Sequence, residues 1–170
     1  EIELVVNLTF APEHYALSKA ALEAGKHVFT EKPLAVTLDE GRDLVDTAHR
    51  KGLLLGGAAD IFLGGGLQAC RRLLDEGAIG VPLIASAFIA LKYGNQPRWQ
   101  SRGTGPVFDM GPYYLTALAA LAGPVRRVSG AAAIPIPTKP YPEGSPDAGK
   151  SFQVGTPMEA VATLEFGGGM

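Results

Sequence analysis

Cysteine is nearly absent from this sequence of 170 residues, which contains only Cys70. One cysteine cannot form a disulfide within the chain and cannot build a cluster of thiolate metal ligands, so we expect neither feature. No apolar stretch is long enough to cross a bilayer, and the first residues lack the basic start of a signal peptide. Together these absences predict a soluble protein of a reducing compartment such as the cytoplasm.

An excess of charge of one sign is also missing. The 15 lysines and arginines nearly balance the 17 aspartates and glutamates, and the two signs are interspersed along the chain. A nucleic-acid-binding face or a membrane-surface helix needs clustered basic residues, so neither partner is expected. A small molecule is the partner class that we expect instead.

The N-terminal part of the sequence predicts a strand–helix–strand unit over residues 2–31. Residues 2–8 form a near-continuous apolar run, which is typical of a strand covered on both faces in a parallel sheet. Pro12 then begins a helical pattern that Gly25 closes. The apolar stripe of this helix consists of Leu17, Ala20, Ala21 and Ala24. A short apolar run at residues 27–30 completes the unit, whose crossover should be right-handed.

Polar residues follow the end of each predicted strand. They are Asn7, Thr9 and His14 after the first strand, and Glu31 and Lys32 after the second. Because the C-terminal ends of parallel strands meet at one edge, where ligands bind in open α/β sheets, one crevice can collect all five. Lys32 precedes Pro33, which holds it in an extended turn, with a cis peptide bond as one option. An ordinary solvated turn would explain Glu31 and Lys32 equally well.

Three more elements are expected up to Gly77. Thr37 and Glu40 form a capping box, in which each side chain accepts a hydrogen bond from an amide of the first turn, and this helix stops at Gly52. We predict a third buried strand at residues 53–55. A further helix follows it and ends at Gly77.

The pattern changes from residue 81 onwards. Alternating residues predict a long strand over residues 83–92, followed by a polar loop over residues 93–105. Loops of that length are often functional, and this one holds Arg98 and the only tryptophan, Trp99. Asp109 occupies the position of a helix N-cap, so we expect a helix to begin there.

The C-terminal part predicts antiparallel strands. Residues 125–133 have a strand pattern, and residues 158–166 alternate as in a half-buried antiparallel strand. The residues 134–157 are rich in proline, glycine and serine, which predicts a connection that is mobile or acts as an arm between subunits. Residues 167–170 should form a hairpin turn.

Several motifs occur in a characteristic order along the chain. They are Asn7-Leu8-Thr9, then His14, then residues 24–33 ending in Glu31-Lys32-Pro33, then residues 75–80, then Asp109-Met110-Gly111. In order and spacing these motifs resemble the glucose–fructose oxidoreductase and inositol dehydrogenase (Gfo/Idh/MocA) family. The Glu-Lys-Pro motif preceded by Gly-Lys-His-Val is the most specific of them.

The resemblance implies an α/β fold followed by an α+β fold. Residues 1–59 would form the C-terminal part of a Rossmann-like parallel sheet that binds a dinucleotide. Residues 60–170 would form part of a mostly antiparallel open-sheet domain that carries the substrate and the interface of a homo-oligomer. The implied reaction is reversible hydride transfer between NAD or NADP and a hydroxyl or carbonyl carbon of a sugar, a cyclitol or a similar small molecule.

The same resemblance assigns roles to individual residues. Those expected along the cofactor are Asn7, Thr9, His14, Glu31 and Lys32. Lys32 would also stabilise the developing alkoxide and can pass a proton. Asp109 would orient or bind the substrate, although a plain N-cap would explain it as well. Arg98 and Trp99 in the polar loop are further candidates for substrate binding.

Two departures from the family pattern affect these expectations. The family commonly has a histidine four residues after the aspartate, on the same helical face, and this chain has Tyr113 there. The Tyr113 hydroxyl can pass a proton beside a lysine. Alternatively, Tyr113 is a core side chain. The turn G-x-G-x-x-G, which cradles a pyrophosphate, is absent, and Gly64-Gly65-Gly66 is no substitute because it follows the third strand. We therefore expect a piece of a longer enzyme, inactive alone, whose first strand exposes an apolar face.

Two other function classes are open at this point. The same fold can bind a dinucleotide without turnover and regulate a protein partner, an alternative that Tyr113 in place of histidine favours slightly. A purely structural oligomerisation module is the other class, but it does not explain the turn that holds Lys32.

Overall fold

The computed structural model describes residues 2–91 and 94–168. The first elements are β1 (Leu4–Asn7), α1 (Ala11–Glu23), β2 (His27–Thr30), α2 (Leu38–Lys51) and β3 (Leu55–Gly57). After a 3₁₀ turn (Ile61–Leu63) come α3 (Gly65–Asp75), α4 (Pro97–Arg102), α5 (Gly105–Ala122), β4 (Val125–Ala133), β5 (Thr138–Pro140), β6 (Ser151–Gln153) and β7 (Glu159–Phe166). The sheets have the orders β1-β2-β3, β4-β7 and β5-β6. This arrangement confirms an α/β fold followed by an α+β fold.

The first sheet is parallel, and the predicted strand–helix–strand unit is confirmed. Its third strand begins at Leu55 rather than at Leu53, because the Leu53 N–H donates to the Ala48 carbonyl oxygen at 2.9 Å and thus belongs to the end of α2. Gly52 makes this ending with a φ of +65°, which glycine adopts without strain. The prediction that the third strand is buried is wrong, since Leu55 and Gly56 are half-buried and Gly57 is exposed. The predicted capping box is confirmed by the reciprocal hydrogen bonds between Thr37 and Glu40.

The core of this half lies on one face of the sheet, beneath α1 and α2. Its buried side chains are Leu22, Val28, Ala35, Leu44 and Ala48. The other face is open, since Leu4 is 50%, Val6 53% and Leu8 70% exposed. The expectation that the first strand exposes an apolar face is therefore confirmed.

Helix α1 buries a different face from the one that its apolar residues predict. The members of the predicted stripe that lie exposed are Leu17, Ala20 and Ala24. The buried side chains are instead His14, Ser18 and Leu22. Ser18 is stable inside because its Oγ accepts a hydrogen bond from Asn7 Nδ2 at 3.0 Å. Hydrophobicity alone does not identify such a face.

Partly buried polar side chains join α1 to α2. Lys19 Nζ donates to Asp43 Oδ1 at 2.9 Å and to Thr47 Oγ1 at 2.6 Å. The Tyr15 hydroxyl donates to Asp43 Oδ2 at 2.9 Å. Hydrogen bonds from Lys19 and then Tyr15 lower the pKa of Asp43, so the ionised carboxylate is the form that joins the helices.

The strands β4 and β7 form an antiparallel pair, which confirms both predicted strands. β4 has the predicted bounds. All nine residues of β4 are exposed, however, and within β7 only Phe166 is buried. β7 is therefore less buried than its alternating sequence predicts, because this sheet has only two strands in the described part of the chain.

Two predictions for residues 83–105 are wrong. Within the described ranges, residues 83–91 pair with no strand, and Lys92 lies outside those ranges. Alternation alone does not make a strand, because a strand also needs a partner edge. The predicted loop contains α4, in which Pro97 occupies the first turn and Gln100 is fully buried, while Tyr93 again lies outside the described residues.

Residues 134–157, predicted as a connection that is mobile or acts as an arm between subunits, contain a β-hairpin, and a role between subunits stays a prediction. β5 and β6 pair antiparallel, with Lys139 opposite Phe152. Phe152 is buried, and the Tyr141 ring meets it edge-on with ring centroids 5.3 Å apart. This aromatic contact explains why a proline- and glycine-rich stretch is ordered. Gly169 and Met170 of the predicted final turn lie outside the described residues.

Helix α5 begins earlier than predicted. Thr104 is its N-cap residue and Gly105 its first residue, so Asp109 lies inside the helix and the N-cap prediction is wrong. Gly105 has a φ of +61°, and a Cβ atom there would lie 2.8 Å from the Pro157 carbonyl oxygen. A close backbone approach, rather than a side-chain cap, therefore sets the start of α5. In residues 2–91 and 94–168, no helix is long and apolar enough to span a membrane.

We expect Asp43 to stabilise the fold only where it is ionised. Because its folded-state pKa is below the usual value of 3.8, the stabilisation is fully present above that value and is lost as pH falls through the folded-state pKa. Thermal midpoints of the protein and of Asp43→Asn, measured by circular dichroism, should differ at about pH 7 and converge toward about pH 2. Asp46→Asn, an exposed change on the same helix, is the control, and a pH-independent difference for Asp43→Asn would contradict the assignment.

We expect Gly105→Ala to lower the free energy of unfolding by about 1–3 kcal/mol, because the new Cβ meets the Pro157 carbonyl oxygen in a strained backbone conformation. Gly41→Ala in α2 is the control, since a Cβ there meets no atom within 4 Å and should stabilise the helix by up to about 1 kcal/mol. Urea unfolding measures both. Similar effects of the two substitutions would show that the close approach at Gly105 does not matter.

Candidate active site

Asn7 organises the turn that follows β1. Its Nδ2 donates to Ser18 Oγ at 3.0 Å and to the His14 carbonyl oxygen at 3.2 Å. Its Oδ1 accepts from Thr9 Oγ1 at 2.7 Å and from the Thr9 N–H at 3.3 Å. Both amide hydrogens and the side-chain carbonyl oxygen of Asn7 are therefore hydrogen-bonded, and the residue is 4% exposed, so its role is to hold the backbone of the turn. Thr9, in contrast, is exposed at the strand edge.

His14 is 1% exposed and bridges the ends of the first two strands. Its Nε2 lies 3.0 Å from the Thr9 carbonyl oxygen, after β1. Its Nδ1 lies 2.7 Å from the Pro33 carbonyl oxygen, after β2. The ring therefore fixes the distance between two turns at the C-terminal edge of the sheet.

The turn after β2 is attached to β1 and directs Lys32 toward α5. The Glu31 N–H donates to the Asn7 carbonyl oxygen at 2.9 Å, and the Lys32 N–H donates to Glu31 Oε2 at 3.2 Å. The peptide bond between Lys32 and Pro33 is cis. These contacts bring Asn7, Thr9, His14, Glu31 and Lys32 together at the edge of the sheet, and the ligand crevice predicted there stays a prediction.

An ion pair between Lys32 and Asp109 joins the two halves of the chain. Lys32 Nζ contacts Asp109 Oδ1 and also donates to the Asp109 carbonyl oxygen at 2.7 Å. The Lys32 side chain is 12% exposed and that of Asp109 is 29% exposed, so water screens this pair only in part. The ammonium group also lies 5.1 Å from the centroid of the Tyr113 ring, which gives it a cation–π contact.

Asp109 lies in the first half of α5, three residues before a proline in the same helix. Pro112 lies inside the helix and removes the N–H that would bond to the Phe108 carbonyl. The neighbouring Asp109 carbonyl is the one that accepts from Lys32. The Thr116 hydroxyl oxygen lies 2.7 Å from the Pro112 carbonyl oxygen of the same helix and 3.2 Å from the Ala59 carbonyl oxygen, so α5 lies beside the segment that follows β3 while the one hydroxyl hydrogen is directed to the nearer acceptor.

The two predicted substrate residues of the polar loop lie on α4. The Arg98 guanidinium is 4.4 Å from the centroid of the Phe10 ring, and its Nη2 is 3.5 Å from Glu13 Oε1. These contacts bring α4 to the N-terminal end of α1. Trp99 is half-buried on the same helix. Sequence reasoning missed Phe10 and Glu13, because nothing local connects them to Arg98.

The candidate site thus contains Lys32, Asp109 and Tyr113 together, with Asn7, Thr9, His14 and Glu31 behind Lys32. In the described part of the chain, no three His, Cys, Asp or Glu side chains are grouped as a metal site would require. The chemistry available is therefore that of a fixed ammonium group, a carboxylate and a phenol.

Comparison with known families follows the same division of the chain. Residues 1–57 match the family described as an oxidoreductase family with an NAD-binding Rossmann fold. Residues 67–170 match the GFO/IDH/MocA C-terminal domain. The second match alone covers more than half of the chain.

Individual relatives agree with these matches. The chain is 30% identical to D-xylose dehydrogenase of Paenarthrobacter nicotinovorans over 148 residues, which are 81% of the chain and 38% of that protein. It is 29% identical to scyllo-inositol 2-dehydrogenase (NADP(+)) of Bacillus subtilis over 75% of the chain and 37% of that protein. The chain thus spans less than half the length of these relatives.

Solved structures show the same architecture. Levoglucosan dehydrogenase in complex with NADH and levoglucosan superposes with a TM-score of 0.81 at 25% identity, over 99% of the chain and 45% of that structure. Biliverdin reductase from Synechocystis, solved with biliverdin and NADP+, gives a TM-score of 0.67 at 28% identity, over 100% of the chain and 50% of that structure. The family matches and these likenesses show that the chain belongs to the GFO/IDH/MocA family of oxidoreductases.

Proposed function

We propose that the chain is part of an NAD(P)-dependent oxidoreductase. The reaction is hydride transfer between a nicotinamide cofactor and a hydroxyl or carbonyl carbon of a sugar, a cyclitol or a similar small molecule. Family membership supports the reaction class, and relatives named for D-xylose and scyllo-inositol support the substrate class. The observation that carries the proposal is the ion pair of Lys32 with Asp109, which fixes an ammonium group at the strand edge.

In this proposal, residues 1–59 bind the dinucleotide and residues 60–170 bind the substrate. Lys32 comes from the first part, and Asp109 and Tyr113 come from the second, so the reacting atoms would lie between the two. The exposed β4–β7 sheet supports self-association of the protein through its C-terminal part. The cytoplasmic location stays a prediction.

The edge formed by β1 and β2 fits one side of a nicotinamide dinucleotide. Parallel strands end here together, Thr9 is exposed, and Glu31 is half-buried beside Lys32. The cofactor, NAD or NADP, would supply the carbon that gives or takes the hydride. Thr9, Glu31 and Lys32 would contact it directly, whereas Asn7 and His14 would act through the backbone turns that they hold.

Lys32 would stabilise charge on the reacting oxygen. An ammonium group has three hydrogens, and the Asp109 carboxylate and carbonyl oxygens take two of them, which leaves one for a substrate oxygen. Because Asp109 and the turn at Pro33 hold the group in place, little reorganisation is needed when the oxygen becomes an alkoxide. Asp109 would also orient the substrate.

Tyr113 would pass the proton that accompanies the hydride. When an alcohol is oxidised, the hydride leaves its carbon for the cofactor and the hydroxyl proton moves to a base; reduction reverses both steps. The Tyr113 ring lies beside the Lys32 ammonium, so its hydroxyl belongs to the same cluster. Arg98 and Trp99 on α4 would bind more distant parts of the substrate.

We expect Lys32→Ala in the complete enzyme to lower kcat by about 10²–10³-fold, because the lost charge acts mainly on the transition state. Asp109→Asn keeps the shape and the main-chain acceptor, so its effect should be smaller. Lys51→Ala, which removes an exposed lysine paired with Glu23, is the control and should leave kcat unchanged. The absorbance of reduced nicotinamide, measured with a panel of sugars and cyclitols, follows the reaction; wild-type kcat in Lys32→Ala would refute the role.

We expect Tyr113→Phe to lower kcat less than Lys32→Ala does. The substitution keeps the ring face that contacts the ammonium group and removes only the hydroxyl, so it isolates proton transfer. Leu115→Ala, an exposed change on the same helix, controls for disturbance of α5. An unchanged kcat in Tyr113→Phe would assign that residue to packing.

We expect this 170-residue chain alone not to bind NADH or NADPH with micromolar affinity, because its sequence has no glycine-rich turn to hold the pyrophosphate. Isothermal titration with each dinucleotide measures this. A longer polypeptide that includes such a turn should bind. Micromolar binding by the chain alone would mean that another stretch of it holds the cofactor.

A further inference from the structure

Among residues 2–91 and 94–168, the two ring nitrogens of His14 contact two hydrogen-bond acceptors and no donor. Nδ1 is 2.7 Å from the Pro33 carbonyl oxygen, and Nε2 is 3.0 Å from the Thr9 carbonyl oxygen. A carbonyl oxygen only accepts. Because a neutral imidazole carries one N–H, it would satisfy one of these oxygens and turn a lone pair toward the other. A ring lone pair that faces a carbonyl oxygen at hydrogen-bond distance is unfavourable, and the contact with the Pro33 carbonyl oxygen is buried.

We infer that His14 is a doubly protonated histidine that clamps both carbonyl oxygens, and that it is a positioning residue for Lys32. Each N–H of the imidazolium then donates to one carbonyl oxygen, and no polar atom of the ring is left without a partner. The carbonyl oxygen on Nδ1 belongs to Pro33, the residue directly after Lys32. The functional part of this inference rests on the proposed role of Lys32.

His27 provides the opposite case within the same chain. The Leu54 N–H donates to His27 Nδ1 at 2.9 Å, so that nitrogen must keep its lone pair and cannot carry a hydrogen. The hydrogen-bond partners therefore require different protonation states at the two positions. His49 is exposed on α2 and serves as the solvent reference.

Charged groups near the clamp have partners of their own. Glu31, on the turn that carries Pro33, accepts from the Lys32 N–H, and the Lys32 ammonium is paired with Asp109 of α5. On α1, Glu13 is paired with Arg98 of α4. The His14 ring nitrogens contact two carbonyl oxygens, each the negative end of a C=O dipole. A buried cation to which no carboxylate bonds requires such partial negative charges around it.

The clamp limits the movement of the turn that holds Lys32. Thr9 is itself fixed by Asn7, whose side chain accepts from both the Thr9 hydroxyl and the Thr9 N–H. His14 transmits this fixed position across to Pro33, and so to the base of the Lys32 side chain. Loss of either N–H would release one of the contacts that hold this turn, and the bond from the Glu31 N–H to the Asn7 carbonyl oxygen would then be the remaining backbone link from the turn to β1 described above.

Nitrogen NMR of the complete protein, labelled with ¹⁵N at histidine, tests the protonation state. At neutral pH in the folded protein, His14 should show hydrogens on both ring nitrogens, and His27 should show one, on Nε2, with the exposed His49 as the reference resonance. Loss of one signal set in His14→Gln assigns the resonances. A His14 ring with a bare nitrogen at that pH in the folded protein would overturn the inference, whether or not the protein has enzymatic activity.

Steady-state kinetics of the same protein test the positioning role. The Gln side chain in His14→Gln has one nitrogen where the ring has two, so it cannot donate to both carbonyl oxygens in the same geometry. We expect kcat to fall at least about tenfold, with little change in the KM of the cofactor. Leu44→Val, a buried change in α2, is a control that lowers stability without touching the clamp. Equal kcat values in the two variants would refute positioning by His14. If His14→Gln does not fold, the NMR result on the unmodified protein still decides the protonation state. His14→Asn then replaces His14→Gln in the kinetic comparison.

Discussion

The ion pair of Lys32 with Asp109 is the interaction on which the arrangement of the site depends. It connects positions 77 residues apart and is the point where the parallel sheet meets α5. A partly buried ammonium group is unfavourable unless a carboxylate and further acceptors surround it, and here both the side chain and the backbone of Asp109 serve. The turn at Pro33, which His14 contacts, carries the first of these groups, and α5 carries the second.

Local signals in the sequence were sufficient for much of the fold. The strand–helix–strand unit over residues 2–31 follows from two apolar runs and a helical pattern, and the capping box at Thr37 follows from hydrogen bonds within one turn. The five polar residues of the first half were grouped correctly because parallel strands deliver their ends to one edge. In each of these cases the partners lie within one supersecondary unit.

The remaining errors concern residues whose partners are distant in sequence. Asp109 has the local character of an N-cap, but its partner Lys32 lies in the other half of the chain. His14 and Ser18 face inward on α1 because each has a hydrogen-bond partner there: His14 contacts backbone carbonyl oxygens, and Ser18 accepts from Asn7. A scale of side-chain hydrophobicity does not include such partners. The hairpin within residues 134–157 combines the pairing of β5 with β6 and the contact of Tyr141 with Phe152, and its proline- and glycine-rich composition does not indicate either feature.

The close fit of Gly105 against the backbone at Pro157 also implies an order of events during folding. Pro157, which lies close to Gly105 in the first turn of α5, follows the β5–β6 hairpin in the sequence. The chain between Gly105 and Pro157 must therefore close into a loop before that turn reaches its native form. Closing a long loop costs entropy before the contact forms, whereas β1, α1 and β2 are neighbours along the chain. The parallel unit should therefore appear early in refolding, and the start of α5 late, together with the hairpin.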